Sequence, residues 1–237
     1  MHPVAVAVAD LPPVPKEITS LVRARGDRTH PSRLDAPLAP PSLLIAGVDE
    51  VGRGALFGPV VAAAVIVSAG MEAELLAQGV QDSKRLTVRK REALVPFIQE
   101  RAVSYAIGWA SVREIDRINI LQASLLAMRR AIARLSPTPT HCLVDGNQRI
   151  PHLSIPQTPV IQGDQHEVAI AAASILAKVW RDRLITRLDR RYPGYDLAAN
   201  KGYGSARHRH AIAQLGPSPQ HRRSFRPNQL GLFDKLP

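Results

Sequence analysis

The chain reads as an α/β protein. Short apolar runs bounded by turn residues suit buried strands, with Leu43–Val67 holding two of them around a charged turn. A stretch from Ser111 repeats apolar residues every three or four positions, and a second, alanine-rich stretch runs from Glu167 to about Leu188, so both suit helices packed on a sheet. Periodicity carries the assignment no further than that class.

Residues 1 to 41 hold Pro3, Pro12, Pro13, Pro15, Pro31, Pro37, Pro40 and Pro41 among several arginines and show no sustained apolar period. The expectation is a disordered Pro/Arg-rich tail with at most a short helix around Glu17 to Arg25. LLIAGVDEVGRGALFGPVVAAAVIV then reads as strand, charged hinge, strand, the first strand stopping on Asp49 and Glu50 and the second running about Val60 to Val67. Adjacent carboxylates raise one another's pKa unless a cation or donor compensates. Gly52 and Gly54 flank Arg53, so backbone amides can approach a partner closely while one guanidinium offers donors suited to phosphate. A surface turn with ordinary acids is the plainer reading of an Asp-Glu pair; acids beside an anion-binding turn point to a bridging metal.

QDSKRLT leads into a helix from Thr87, with Pro96 a point for a kink or break. Val103 to Ala110 reads as a third strand. Ser111 and Glu114 form a capping-box signature, and Ile115, Ile118, Leu121, Leu125, Met128 and Ile132 give the following helix a core stripe. HCLVDGN repeats the opening logic, an apolar strand stopping on Asp145, and PVIQGD stops on Asp164. Surface acids have no reason to end apolar runs repeatedly, so Asp49, Glu50, Asp145 and Asp164 form a candidate constellation. The alanines from Ala169 to Ala177 read as a close-packing surface. Tyr192-Pro193-Gly194-Tyr195 breaks that helix, NKGYGS presents Tyr203 between glycines, and the remainder, with Arg207, His208, Arg209, His210, His221, Arg222 and Arg223, reads as a basic helical appendage able to grip phosphates.

Lysine plus arginine at 31 against 20 acids leaves a net charge of +11, which favours a polyanionic partner. No apolar stretch is long enough to span a bilayer, and the N-terminus lacks the cationic start of a secretory signal, so the expected location is cytoplasmic. Cys142 is the only cysteine and reads as a buried packing residue. No Cys and His cluster has zinc spacing. Hydrolysis of a phosphodiester is served by two divalent ions about 4 Å apart, and hard Mg²⁺ or Mn²⁺ prefers oxygen ligands of the kind these four carboxylates supply.

GVDEVGRG, DSKRL, LVDGN, GD, AAASILAKVWRD, NKGYGS and HRRSF, in that order from about Leu43 to Phe225, closely resemble bacterial ribonuclease HII, the type 2 ribonuclease H. Several separate motifs in order make the match specific where any one would be weak. The resemblance implies a ribonuclease H-like α/β fold, a mixed central sheet flanked by helices with a small C-terminal helical region. It divides the chain into the tail (1–41), a catalytic domain (42–190), a substrate-binding helical region (191–226) and a flexible tail (227–237).

It also implies metal-dependent hydrolysis of the RNA strand of RNA/DNA hybrids, and cutting 5′ to single ribonucleotides in duplex DNA with 3′-hydroxyl and 5′-phosphate ends, as in ribonucleotide excision repair and primer removal. Asp49, Glu50, Asp145 and Asp164 would be the catalytic metal ligands. Gly52, Arg53 and Gly54 would read the ribose 2′-hydroxyl, which alone separates ribose from deoxyribose. Tyr203 would pack on the neighbouring sugar and Lys84 would contact phosphate. Ser174 and Lys178 resemble family positions near the site, without assigned chemistry. The chain departs from the usual pattern at Ala55, Arg85 and Ser205, which touches substrate preference and removes no carboxylate.

Gln229-Leu230-Gly231-Leu232-Phe233 resembles the QLxLF pentapeptide that docks on the bacterial DNA sliding clamp, with Gln229 a polar anchor and Leu230, Leu232 and Phe233 apolar ones. A monomer is expected. The rival readings are a non-catalytic nucleic-acid-binding module, disfavoured because bare carboxylates repel a polyanion, and another nuclease of the ribonuclease H-like superfamily. Ribonuclease HIII is disfavoured because residues 1 to 41 look too short for its folded N-terminal domain.

Overall fold

The computed structural model describes residues 43–80, 83 and 86–225. The N-terminal tail expectation, Lys84 and the Gln229–Phe233 segment lie outside those residues.

A five-stranded sheet has the order β3-β2-β1-β4-β5. Its strands are β1 (Ile45–Val51), β2 (Val60–Ile66), β3 (Ser104–Ala110), β4 (His141–Asp145) and β5 (Gln157–Val160). The first three form an antiparallel meander, while β4 lies parallel to β1 and β5 parallel to β4. The helices are α1 (Ala69–Ala77), α2 (Val88–Arg101), α3 (Val112–Ile132), α4 (Gly163–His166), α5 (Val168–Asp189), α6 (Leu197–Asn200) and α7 (Ala206–Leu215). This is the mixed α/β arrangement expected.

Strand β2 is buried along its whole length because successive side chains face opposite helices. Val60, Ala62, Ala64 and Ile66 join the core under α3, with Ile115, Met128 and Ile132. Ala63 and Val65 join the core under α1, α2 and α5, with Leu75, Leu94, Ile98 and Ala173. A third cluster packs Phe57 with Ile185, Leu188, Tyr195, Leu197 and Ile212, so the segment after α5 folds against the turn after β1.

Local chemistry explains the boundaries. The Thr87 hydroxyl accepts from Lys90 N and opens α2, which continues past Pro96. Ser111 and Glu114 close the expected capping box. The helix that follows is broken at Asn119, whose φ of 65° and ψ of 167° leave the helical region, and whose side-chain oxygen accepts from Gln122 N to restart it. Residues other than glycine rarely adopt that backbone, and an apolar stripe cannot reveal the break. Helix α1 falls where no helix is expected, and β5 ends at Val160, short of Asp164. Cys142 is fully buried in β4, and burial pushes its thiol up to about 11.

Candidate active site

Asp49 and Glu50 lie near the end of β1, paired across the sheet with Ala63 and Ala62. Strand β4 runs parallel with Val48 beside Val144, so the next residues along, Asp49 and Asp145, come side by side at the carboxyl ends of two parallel strands. Open α/β sheets place ligand sites at such ends. Alternation puts Asp49 on the same face as Gly47, toward α5.

The three carboxylates line one cavity of about 280 Å³ together with Ser83, Arg91, Ser174, Lys178 and Tyr203. A larger cavity of about 380 Å³ lies between α2 and α5, where its acids are compensated: Arg183 faces Glu92 at 3.8 Å and Lys178 faces Asp182 at 3.0 Å. The smaller cavity alone concentrates negative charge. Burial first, then Glu50 and Asp145, hold the Asp49 carboxyl well above the usual carboxylate range, against hydrogen bonds from Ser174 and the Glu50 amide. That amide donates to Asp49 Oδ1 at 2.6 Å. Burial also raises Glu50, although Arg53 donates to its Oε1 at 3.2 Å.

The donor set fits a hard divalent cation: all oxygen, crowded, and carrying repulsion that a cation would relieve. Among the described residues, no three acidic, histidine or cysteine side chains converge closely enough to cage an ion as they stand.

Around the acids the walls are fixed. The Ser83 and Ser174 hydroxyls lie 2.8 Å apart, joining the loop before α2 to α5 and to Asp49. Arg91, buried, donates to the carbonyls of Ser83 (2.7 Å) and Leu86. The turn after β1 has Gly52 at φ 90°, and a Cβ there would meet Arg181 Nε at 2.2 Å, so only glycine fits. A Cβ on Gly54 would meet nothing within 4 Å, leaving room for a ligand against its backbone.

Tyr203 reaches this wall from the far end of the chain. The amides of Leu56 and Phe57 donate to Gly202 O at 2.8 and 3.2 Å, and Ala55 forms an isolated bridge with Tyr203. The ring lies near two cations, Lys178 Nζ at 5.6 Å and the Arg181 guanidinium at 5.4 Å. The structure therefore brings Asp49, Glu50, Asp145 and Tyr203 to one cavity, with the Gly52–Gly54 turn alongside.

Asp164 is placed differently. It sits in the short helix α4, 2% exposed, and does not line that cavity. One tie to the site runs through the chain: the amide of the preceding Gly163 donates to Asp145 Oδ1 at 2.8 Å.

The basic C-terminal segment is corrected in part. His208, His221 and Arg222, expected among the residues that grip phosphates, are buried. The Ser218 amide donates to His221 Nδ1 at 2.9 Å, the two histidines meet Nε2 to Nε2 at 3.1 Å, and His208 Nδ1 lies 2.8 Å from Tyr203 O. With Ser218 N–H fixing His221 Nδ1 as an acceptor, neutral His221 donates through Nε2 to His208, which donates through Nδ1 to the Tyr203 carbonyl. Arg207 and Arg209 stay on the accessible side of α7.

The description of the matching family model is Ribonuclease HII, and it spans residues 46–228. The chain belongs to the ribonuclease HII family. The Ribonuclease HII of Acaryochloris marina is 66% identical over 189 residues, covering 80% of this chain and 96% of the relative. Membership makes the chain an endoribonuclease of the H class, a phosphodiester hydrolase.

Among solved structures, the ribonuclease H2 of Pyrococcus horikoshii OT3 aligns with a TM-score of 0.65 at 27% identity, over 78% of this chain and 94% of that one. The RNase HII of Archaeoglobus fulgidus, solved as a complex with PCNA, gives 0.62 at 27%, over 81% and 100%. Bst-RNase HIII in complex with Mn²⁺ gives 0.58 at 26%, over 73% and 62%. The ribonuclease H-like fold follows, and Asp49, Glu50, Asp145 and Tyr203 all fall within the matched span. No helix among the described residues is long and apolar enough to cross a membrane.

Proposed function

We propose that the chain hydrolyses the RNA strand of RNA/DNA hybrids and cuts 5′ to single ribonucleotides in duplex DNA, leaving 3′-hydroxyl and 5′-phosphate ends. The observation that carries this is the juxtaposition of Asp49, Glu50 and Asp145 with the Gly52–Gly54 turn and Tyr203. The acids supply hydrolytic chemistry, and the turn and ring supply a means of telling ribose from deoxyribose.

Asp49, Glu50 and Asp145 would hold Mg²⁺ or Mn²⁺, with Asp164 completing the set behind Asp145; the metal, when bound, supplies an activated water and charge stabilisation. A cation held there would offset the repulsion from Glu50 and Asp145 that, after burial, raises the Asp49 carboxyl. Ser174 orients Asp49 by its hydrogen bond, and the Gly163 amide orients Asp145. Backbone groups of Gly52, Arg53 and Gly54 read the 2′-hydroxyl, Tyr203 stacks on the adjoining sugar, and Lys84 and the 191–226 region hold phosphates. The Gln229–Phe233 segment tethers the enzyme to the bacterial sliding clamp, a reading supported by the PCNA complex of the archaeal relative.

The test is a labelled duplex carrying one ribonucleotide, incubated with enzyme and Mg²⁺ or Mn²⁺ beside an all-DNA duplex and an EDTA control. A single cut 5′ to the ribonucleotide, only with metal, is expected; cutting of the all-DNA duplex, or none, would reject the reading.

A further inference from the structure

Two arginines outside the carboxylate site are buried without a carboxylate at ion-pair distance among the described residues: Arg181 is 0% exposed and Arg222 is 4% exposed. A buried guanidinium is costly unless its donors are met. Here backbone carbonyls meet all of them except those on Arg222 Nη2, which is buried with no hydrogen-bond partner among the described residues. Arg181 donates through Nε to Pro59 O (3.1 Å), through Nη1 to Lys201 O (2.9 Å) and through Nη2 to Phe57 O (3.0 Å). Arg222 donates through Nε to Gly58 O (2.9 Å) and through Nη1 to Arg53 O (2.8 Å).

Those acceptors belong to two segments, the turn after β1 and the loop entering Tyr203. Arg181 bridges both, lies 5.4 Å from the Tyr203 ring, and occupies the space that a side chain on Gly52 would need. Arg222 fixes a direction. A peptide unit is planar and trans, so holding the Arg53 carbonyl inward turns the Gly54 N–H of the same unit the opposite way, toward the open side of the turn. The Arg222 guanidinium, lowered by burial and by Arg181 to about 9, stays charged at neutral pH.

We propose that Arg222 and Arg181 are specificity-positioning residues, which lock the Arg53–Gly54 peptide and the Tyr203 loop into one ribose-sensing geometry without touching substrate. This rests on the ribose-sensing role given above to that turn.

The test uses the full chain carrying Asp145→Asn to stop cleavage. The readout is the ratio of its affinities for a duplex with one ribonucleotide and for the same duplex in all DNA. Adding Arg222→Met is expected to lower that ratio about ten- to a hundredfold, the worth of one hydrogen bond to a charged group, with all-DNA affinity and circular dichroism unchanged. Arg222→Lys, which keeps the charge and a donating ammonium without the planar fork, recovers part of the ratio, and Arg181→Lys lowers it independently.

Unchanged ratios, or equal losses on both duplexes, would overturn the inference. Failure of both lysine variants to fold would also overturn it, since the arginines would then hold the core rather than the site. A parent without ribonucleotide preference would overturn the functional reading and this inference together, whereas a parent with the preference and variants that keep it would overturn the inference alone.

Discussion

Gly47 of β1 lies directly against the backbone of Ala169 in α5: a Cβ on Gly47 would stand 2.1 Å from the Ala169 carbonyl carbon. That contact lets α5 approach the sheet closely enough for Ser174 to hydrogen-bond Asp49. Gly47→Ala is therefore expected to destabilise the protein by about 3 kcal/mol, the upper range for overpacking against backbone that cannot yield. Urea unfolding with an unchanged midpoint would contradict this packing account.

Tyr203 should act on selectivity more than on grip. Tyr203→Ala removes the ring near Lys178 and Arg181 and leaves the accessible arginines of α7 in place. Affinity for a ribonucleotide-bearing duplex should fall about tenfold, within the range for one lost stacking contact. All-DNA affinity should change little in the same titration; equal losses would place Tyr203 in general duplex binding.

The buried histidine pair predicts a pH dependence of stability. Burial first, then His208, lower His221 to about 4, below the ordinary 6.5; burial lowers His208 as well. A folded pKa below the unfolded one means that the neutral ring stabilises the fold. That contribution is present above about pH 6.5 and is lost as pH falls toward about 4. The unfolding free energy should decline across that window, and His221→Asn should flatten the decline. An identical pH slope in the variant would assign the effect to other groups.

What the sequence disclosed was the part governed by local pattern. Apolar runs stopping on Asp49, Glu50 and Asp145 marked strand ends, and the Ser111 capping box marked the start of a helix. Arg222 and His221 were legible only as basic residues, because what buries them is distant in sequence: Gly58 O lies 164 residues from Arg222. Arg181 was hidden among helix residues for the same reason, its partners being carbonyls that every residue carries. Asp164 ended an apolar run as expected, but Gln162 takes a left-handed backbone at φ 55° after β5 ends, and the turn carries Asp164 into α4.

The clamp tether has its own test. The intact chain should bind the bacterial sliding clamp in a pull-down, and a chain ending at Pro227 should not, because Gln229, Leu230, Leu232 and Phe233 are then missing. Equal binding by both, or by neither, would remove the tether.

The central claim is that Asp49 and Asp145 are the chemical centre of a ribonuclease. It is tested most directly by single-turnover cleavage of a one-ribonucleotide duplex by Asp49→Asn and Asp145→Asn in saturating Mg²⁺ or Mn²⁺, beside duplex binding and circular dichroism on the same samples. Each substitution removes one charge from a repulsive set, so fold and binding should persist while the cleavage rate falls by about a thousandfold or more, the loss of several kcal/mol of transition-state stabilisation. Near-normal cleavage by either variant, with its fold intact, would contradict the account.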